Sequence, residues 1–200
     1  MGIFDFDNRF FRFTSKLLNL IILNILWVVF SIPIITVGAA TAAVYYVTLK
    51  MARDEEGYLF KDFFKGFKQN FRQGTVLEII FLMSGFVLYG DIRYFLLHES
   101  IYNYFFIAIF GAITIVYIFA LIFAFPIAAR FKNKLLVTLK NAVIMSLKHV
   151  TASIMMSILL LLILYGFYVS IPIMILCPII AMSGYAYIGS ILFRNIFDKY

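Results

Sequence analysis

Few residues of this chain could do chemistry. Two histidines, His98 and His149, a lone cysteine, Cys177, and ten carboxylates are scattered through 200 residues. Acyl or lipid chemistry needs a nucleophile paired with a base, or two carboxylates facing one another, and neither pairing is legible. No G-x-S-x-G, P-loop or H-E-x-x-H pattern occurs. The histidines are expected on opposite faces of a membrane, with Cys177 far from both, so no metal set is expected to assemble. The reading is of a protein without catalytic residues, metal or cofactor.

Two polar groups fall inside apolar runs. Glu78 is the one carboxylate well within such a run, where ionisable groups are candidates for function. It could equally snorkel to the interface or pair with Arg72 or Lys148. Asn24, midway along another run, can bond a neighbouring helix through its amide. The remaining candidates are charged. Arg53-Asp54-Glu55-Glu56-Gly57 reads as an exposed turn, serving either as dipole compensation for the helix that follows or as a docking point. Beyond it Phe60, Phe63, Phe64, Phe67 and Phe71 share one helical stripe, and Lys61, Lys65, Lys68 and Arg72 share another. A helix with an aromatic face and a basic face is expected in a membrane interface, where each basic residue contributes ~1 kcal/mol on anionic lipid.

The elements that must position these residues follow from composition. The chain is 64% hydrophobic, against ~45–50% for soluble domains, so lipid must solvate much of it. Its charge of +7 lies in short segments beside apolar runs, the pattern of the positive-inside rule rather than of a nucleic-acid binder. Leu17–Leu49 is free of charge for 33 residues, with Pro33 and Gly38 at its middle. Proline ends a helix and glycine permits the turn, so the run divides into spans over 17–32 and 35–49. That hairpin either crosses fully or is re-entrant.

Further spans are expected over 74–90, 101–129, 150–170 and 171–193, the last pair turning at Pro172. Interfacial helices are expected over 58–72 and 133–148, and a short arm over 1–16. Arg9, Arg12 and Lys16 precede an apolar run ending near Ala40-Thr41-Ala42, as in a signal peptide, but the run continues too far and an uncleaved span is expected. Six spans place sixteen of the seventeen Lys/Arg on one side and only Arg93 on the other. The expected architecture is therefore an all-α, single-domain, multi-pass bundle of about six transmembrane helices, in three hairpins, with amphipathic helices and both termini on the cytoplasmic side. The tetrapeptide Ser-Ile-Pro-Ile at 31–34 and 170–173 fits an internal repeat, or independent use of proline at membrane turns.

Asn8-Arg9-Phe10, SIPIITVGAATAAVYYVTLK (31–50), RDEEGYLFKDFFKGFKQNFRQGT (53–75), FPIAARF (125–131) and TLKNA (138–142) together resemble the YesL family of small bacterial membrane proteins. The resemblance runs over about residues 5–197. It implies a polytopic protein of the bacterial cell membrane, familiar from Gram-positive bacteria and usually encoded beside carbohydrate ABC importers and their regulators. The partners implied are the lipid bilayer and the importer's permease or ATPase subunits, and no catalytic residues carry over. The functional expectation is an accessory or regulatory protein of such an importer. A small transporter or channel, as a homo-oligomer, and a partner of a sensor kinase are the alternatives.

Overall fold

The computed structural model describes residues 9–55, 57–97, 103–169 and 180–200, and the regular elements among them are helical. Helix α1 is Arg9–Ser31. A single 3-10 turn, Ile34–Thr36, leads into α2, Val37–Met51. Then come α3, Leu59–Leu97, α4, Asn103–Arg130, α5, Leu135–Lys148, α6, Val150–Val169, and α7, Ala181–Phe197.

The turn between α1 and α2 forms where proline and threonine dictate it. Pro33 caps the 3-10 turn with extended backbone at φ −74° and ψ 107°, and it has no N–H to leave unsatisfied. The Thr36 hydroxyl lies 2.6 Å from the carbonyl of Phe30 and 2.7 Å from that of Pro33, so the end of α1 is held to the start of α2.

Helix α2 is the hub. Its sequence, Val-Gly-Ala-Ala-Thr-Ala-Ala-Val, carries almost no side-chain bulk, so backbones can approach from every side. Helices α1, α3, α4 and α7 all pack on it, and nearly its whole length is buried. The approach to α3 is the closest. A methyl added at Gly38 would stand 2.3 Å from the carbonyl oxygen of Gly74, and one at Gly74 would stand 2.8 Å from the Cα of Ala39. Only hydrogen fits at either position. Around this hub Phe123, Phe193 and Phe197 form an aromatic run, with centroids 4.8 and 5.6 Å apart.

Among the described residues, four helical stretches are long and apolar enough to cross a membrane: Thr14–Ser31, Ile34–Met51, part of Leu59–Leu97, and Asn103–Arg130. Helices α5 and α6 meet at 96° across His149 and together bring the number to as many as five. The large apolar side chains left exposed on α3 beyond Ile79, on α4 before Val116 and along α6 suit lipid contact. The sixth expected crossing falls partly outside the described residues, where Pro172 and Cys177 also lie. Its described portion, α7, has 17 residues and runs past Arg194.

Two boundaries differ from those read in the sequence. Helix α1 begins at Arg9, so the described part of the expected arm is continuous with the first span. The interfacial helix over 58–72 and the span over 74–90 are a single helix of 39 residues. Gly74 does not separate them, because a glycine costs a helix only ~1 kcal/mol relative to alanine and no proline interrupts the ladder. At ~1.5 Å per residue α3 is about 58 Å long, nearly twice a ~30 Å hydrocarbon core. Since α2 begins beside Gly74 and Glu78, the α1–α2 hairpin flanks the charged half of α3. About 28 Å of α3 continues beyond that turn, accompanied by α4 through Phe81–Tyr117 and Phe95–Phe106 ring contacts.

Candidate functional site

The polar groups inside the apolar runs are helix caps, supplied by one helix to another. Thr36, the residue that precedes α2, makes no side-chain cap. The carboxylate of Glu78, on α3, instead accepts the N–H of Gly38 at 2.8 Å. Ile180, which precedes α7, cannot cap at all. There the amide oxygen of Asn24, on α1, accepts the N–H groups of Met182 and Ser183, each at 3.1 Å. These are the second and third residues of α7, the positions an N-cap side chain normally serves. Both side chains are buried. In an apolar medium a free backbone N–H costs several kcal/mol, so each cap removes a penalty that water cannot relieve.

Glu78 therefore pairs with neither Arg72 nor Lys148, as the sequence had left open; the positive end of α2 is its partner. The capped residues share a sequence signal beyond the Ser-Ile-Pro-Ile repeat. Pro33-Ile34-Ile35-Thr36-Val37-Gly38 and Pro178-Ile179-Ile180-Ala181-Met182-Ser183 align, and Gly38 and Ser183 both stand five residues after the proline. Each such segment starts a helix without a local cap.

Other polar contacts tie the same helices together. Thr48 and Ser190 join α2 to α7 at 2.8 Å, Trp27 donates to Thr41 at 3.0 Å, and Gln73 donates to Thr138 at 2.7 Å. None was singled out from sequence, since a lone hydroxyl in an apolar run does not reveal its partner.

The charged turn is fastened as well. Arg53 is ion-paired to Asp198, and Asp54, in left-handed conformation at φ 56°, pairs with Lys16 at 2.8 Å. Arg194 donates to the carbonyl of Ala52, and Lys50 pairs with Asp62 at 2.7 Å. Arg53 and Asp54 thus hold α2, α1 and α7 together at this end. Glu55 stays exposed, and Glu56 lies outside the described residues.

The Phe/Lys helix is divided in the same manner. Phe63 is buried and Phe67 half-buried, both against Phe30 of α1 at 5.5 and 5.0 Å between centroids. Part of the aromatic stripe thus packs on protein; Phe64, though half exposed, also meets Phe30 edge-on at 5.4 Å, while Phe60 and Phe71 remain exposed. Lys61, Lys65, Lys68 and Arg72 form an exposed row, with no ion pair among the described residues. Of the histidines, His98 falls outside the described residues, and His149 sits at the α5–α6 bend with its ring against Tyr200. No group of three metal-ligating side chains occurs among the described residues. An open groove of ≈780 Å³ lies between α3, α4 and α5. Its walls are apolar, and the hydroxyls of Ser84 and Tyr117 on it are bonded to backbone carbonyls.

Residues 20–92, which hold Asn24, the Pro33 turn, the charged turn and Glu78, match the family described as "Protein of unknown function, DUF624". The chain is 26% identical over 128 residues to "Uncharacterized protein YesL" of Bacillus subtilis (strain 168), across 62% of this chain. The alignment spans 60% of that relative's length. No solved structure matches. The turn-and-cap region thus matches the family, and over a wider stretch the chain is similar to the Bacillus protein YesL.

Proposed function

We propose that this protein is an integral-membrane accessory protein of a bacterial carbohydrate ABC importer, acting in its assembly or regulation. It would sit in the cytoplasmic membrane with both termini and the basic row on the cytoplasmic side. The observation behind this reading is a division of labour among polar groups. Asn24, Glu78, Thr48, Ser190 and Trp27 are each bonded to another helix. The row Lys61, Lys65, Lys68 and Arg72 faces outward with no ion pair among the described residues. A transport path is lined by polar groups free to meet a substrate, whereas an interaction module presents its charge on a surface. The importer itself comes from what the resemblance of the sequence motifs implies, a genetic neighbourhood rather than a mechanism.

The test is a mild-detergent pull-down of tagged protein from native membranes with cross-linking mass spectrometry. Permease or ATPase subunits cross-linked through Lys61, Lys65 or Lys68 are the expected result. Elution as a homo-oligomer without importer subunits would sink the reading and send the protein to flux assays. Charge reversal of Asp54 would also break its pairing with Lys16 and so does not isolate this surface.

A further inference from the structure

At the charged end a cleft of ≈160 Å³ opens between the end of α2, the turn that follows it and the end of α4. We propose that it holds the headgroup of a membrane phospholipid, with the phosphodiester on Arg53 and Arg130 and a hydroxyl or ammonium donor of the headgroup on Glu55.

Lys50, Arg53 and Arg130 bring three cations to its wall, Glu55 one carboxylate, and Leu49 and Ala129 an apolar flank. The cations are not equivalent. Lys50 is occupied by Asp62 at 2.7 Å. Arg53 uses one guanidinium nitrogen on Asp198, but its Nε is buried with no acceptor among the described residues. A buried donor left unmet costs roughly 1–3 kcal/mol, more for a charged group, which asks for an acceptor in the cleft. Arg130 is exposed and has no ion pair among the described residues. Two guanidinium groups that both lack a full set of acceptors suit a phosphate oxygen, which accepts from planar forks.

Glu55 narrows the ligand. A bare anion would meet its repulsion, while a headgroup carrying its own donor turns that carboxylate into a partner. The apolar flank then meets the glycerol end. Basic pockets between membrane helices are a recurring place for such headgroups. Dipole compensation by Lys50 at the end of α2 accounts for that residue; it does not account for the unmet Arg53 Nε.

The test uses the full chain purified in mild detergent and examined by native mass spectrometry with phosphatidylglycerol, phosphatidylethanolamine or phosphatidylcholine. The first two carry a donor and should be retained; phosphatidylcholine carries none and should be lost. Arg130→Gln should lower retention about fivefold, the equivalent of the ~1 kcal/mol one basic residue contributes. The surface variant Lys140→Gln, on an exposed position of α5, should leave retention unchanged. Should Arg130→Gln fail to fold, Glu55→Gln on the exposed turn should selectively lower retention of phosphatidylethanolamine. Inorganic phosphate at millimolar concentration should not displace the lipid; displacement would assign the site to free phosphate and overturn the lipid proposal. Equal retention of all three lipids, or no effect of Arg130→Gln in a folded protein, would also overturn it.

Discussion

Glu78 and Asn24 show how a buried polar side chain in lipid can be structural without being inert. Each accepts backbone N–H groups from a helix other than its own, so removing one frees donors that no water can reach. Asn24→Ala is expected to lower stability by about 1–2 kcal/mol and Asn24→Asp, which keeps the acceptor, by less. Thermal unfolding in detergent distinguishes the two; equal loss would mean that packing of the side chain, not its cap, matters. Glu78→Gln should likewise retain the fold, because the amide oxygen still accepts from Gly38. The glycines are less forgiving. At Gly74 a methyl meets the Ala39 backbone at 2.8 Å, and backbone cannot rotate away as a side chain can. Gly74→Ala is expected to cost about 1–3 kcal/mol, read as a lowered unfolding temperature.

Among the elements α3 carries the most consequence. A change in composition near residue 73, from Lys/Phe to Leu/Ile/Phe, marks a change of surroundings without marking a break in the backbone. One helix thus connects the basic row directly to the apolar half that packs with α4. A displacement of the charged segment should therefore be felt along α3, whereas a hinged interfacial helix would absorb it. Spin labels at Lys65 and Tyr89 should lie about 36 Å apart along a continuous helix, and roughly 27 Å apart if a right-angle break occurred near residue 73. The α5–α6 pair is the contrasting case, because at His149 the chain does turn, by 96°.

For the whole molecule the charged end is a knot of four contacts: Lys16 to Asp54, Lys50 to Asp62, Arg53 to Asp198 and Arg194 to the carbonyl of Ala52. They bring α1, α2, α3 and α7 together at one end, with Lys16 of α1 and Asp198 just past α7 on the same turn. Asp198→Asn should loosen this knot. Because Asp198 is half exposed and its partner only 13% exposed, most of the effect should come from the arginine left without a counter-ion. The expected readout is faster proteolysis near Arg53 and at the C-terminal end of α7, with α3 and α4 protected. Uniform protection across all helices would show that apolar packing alone holds this end.

Composition and charge spacing were enough to establish an all-helical chain suited to lipid, because apolar surplus and segregated charge reflect solvent and need no knowledge of contacts. The turn at Pro33 was equally legible, since proline acts through its own backbone; Gly38, read as part of that turn, instead lies within α2, and the Thr36 hydroxyl that holds the turn was not foreseen. The division of the Phe stripe, the continuity of α3 and the roles of Asn24 and Glu78 were not legible. Glu78 reaches Gly38 across 40 residues, and Asn24 reaches Ser183 across 159. Sequence could show that these side chains needed partners; only the packing of α1 and α3 around α2 and α7 decided which partners they found, because a cap between helices exists only once the helices lie side by side.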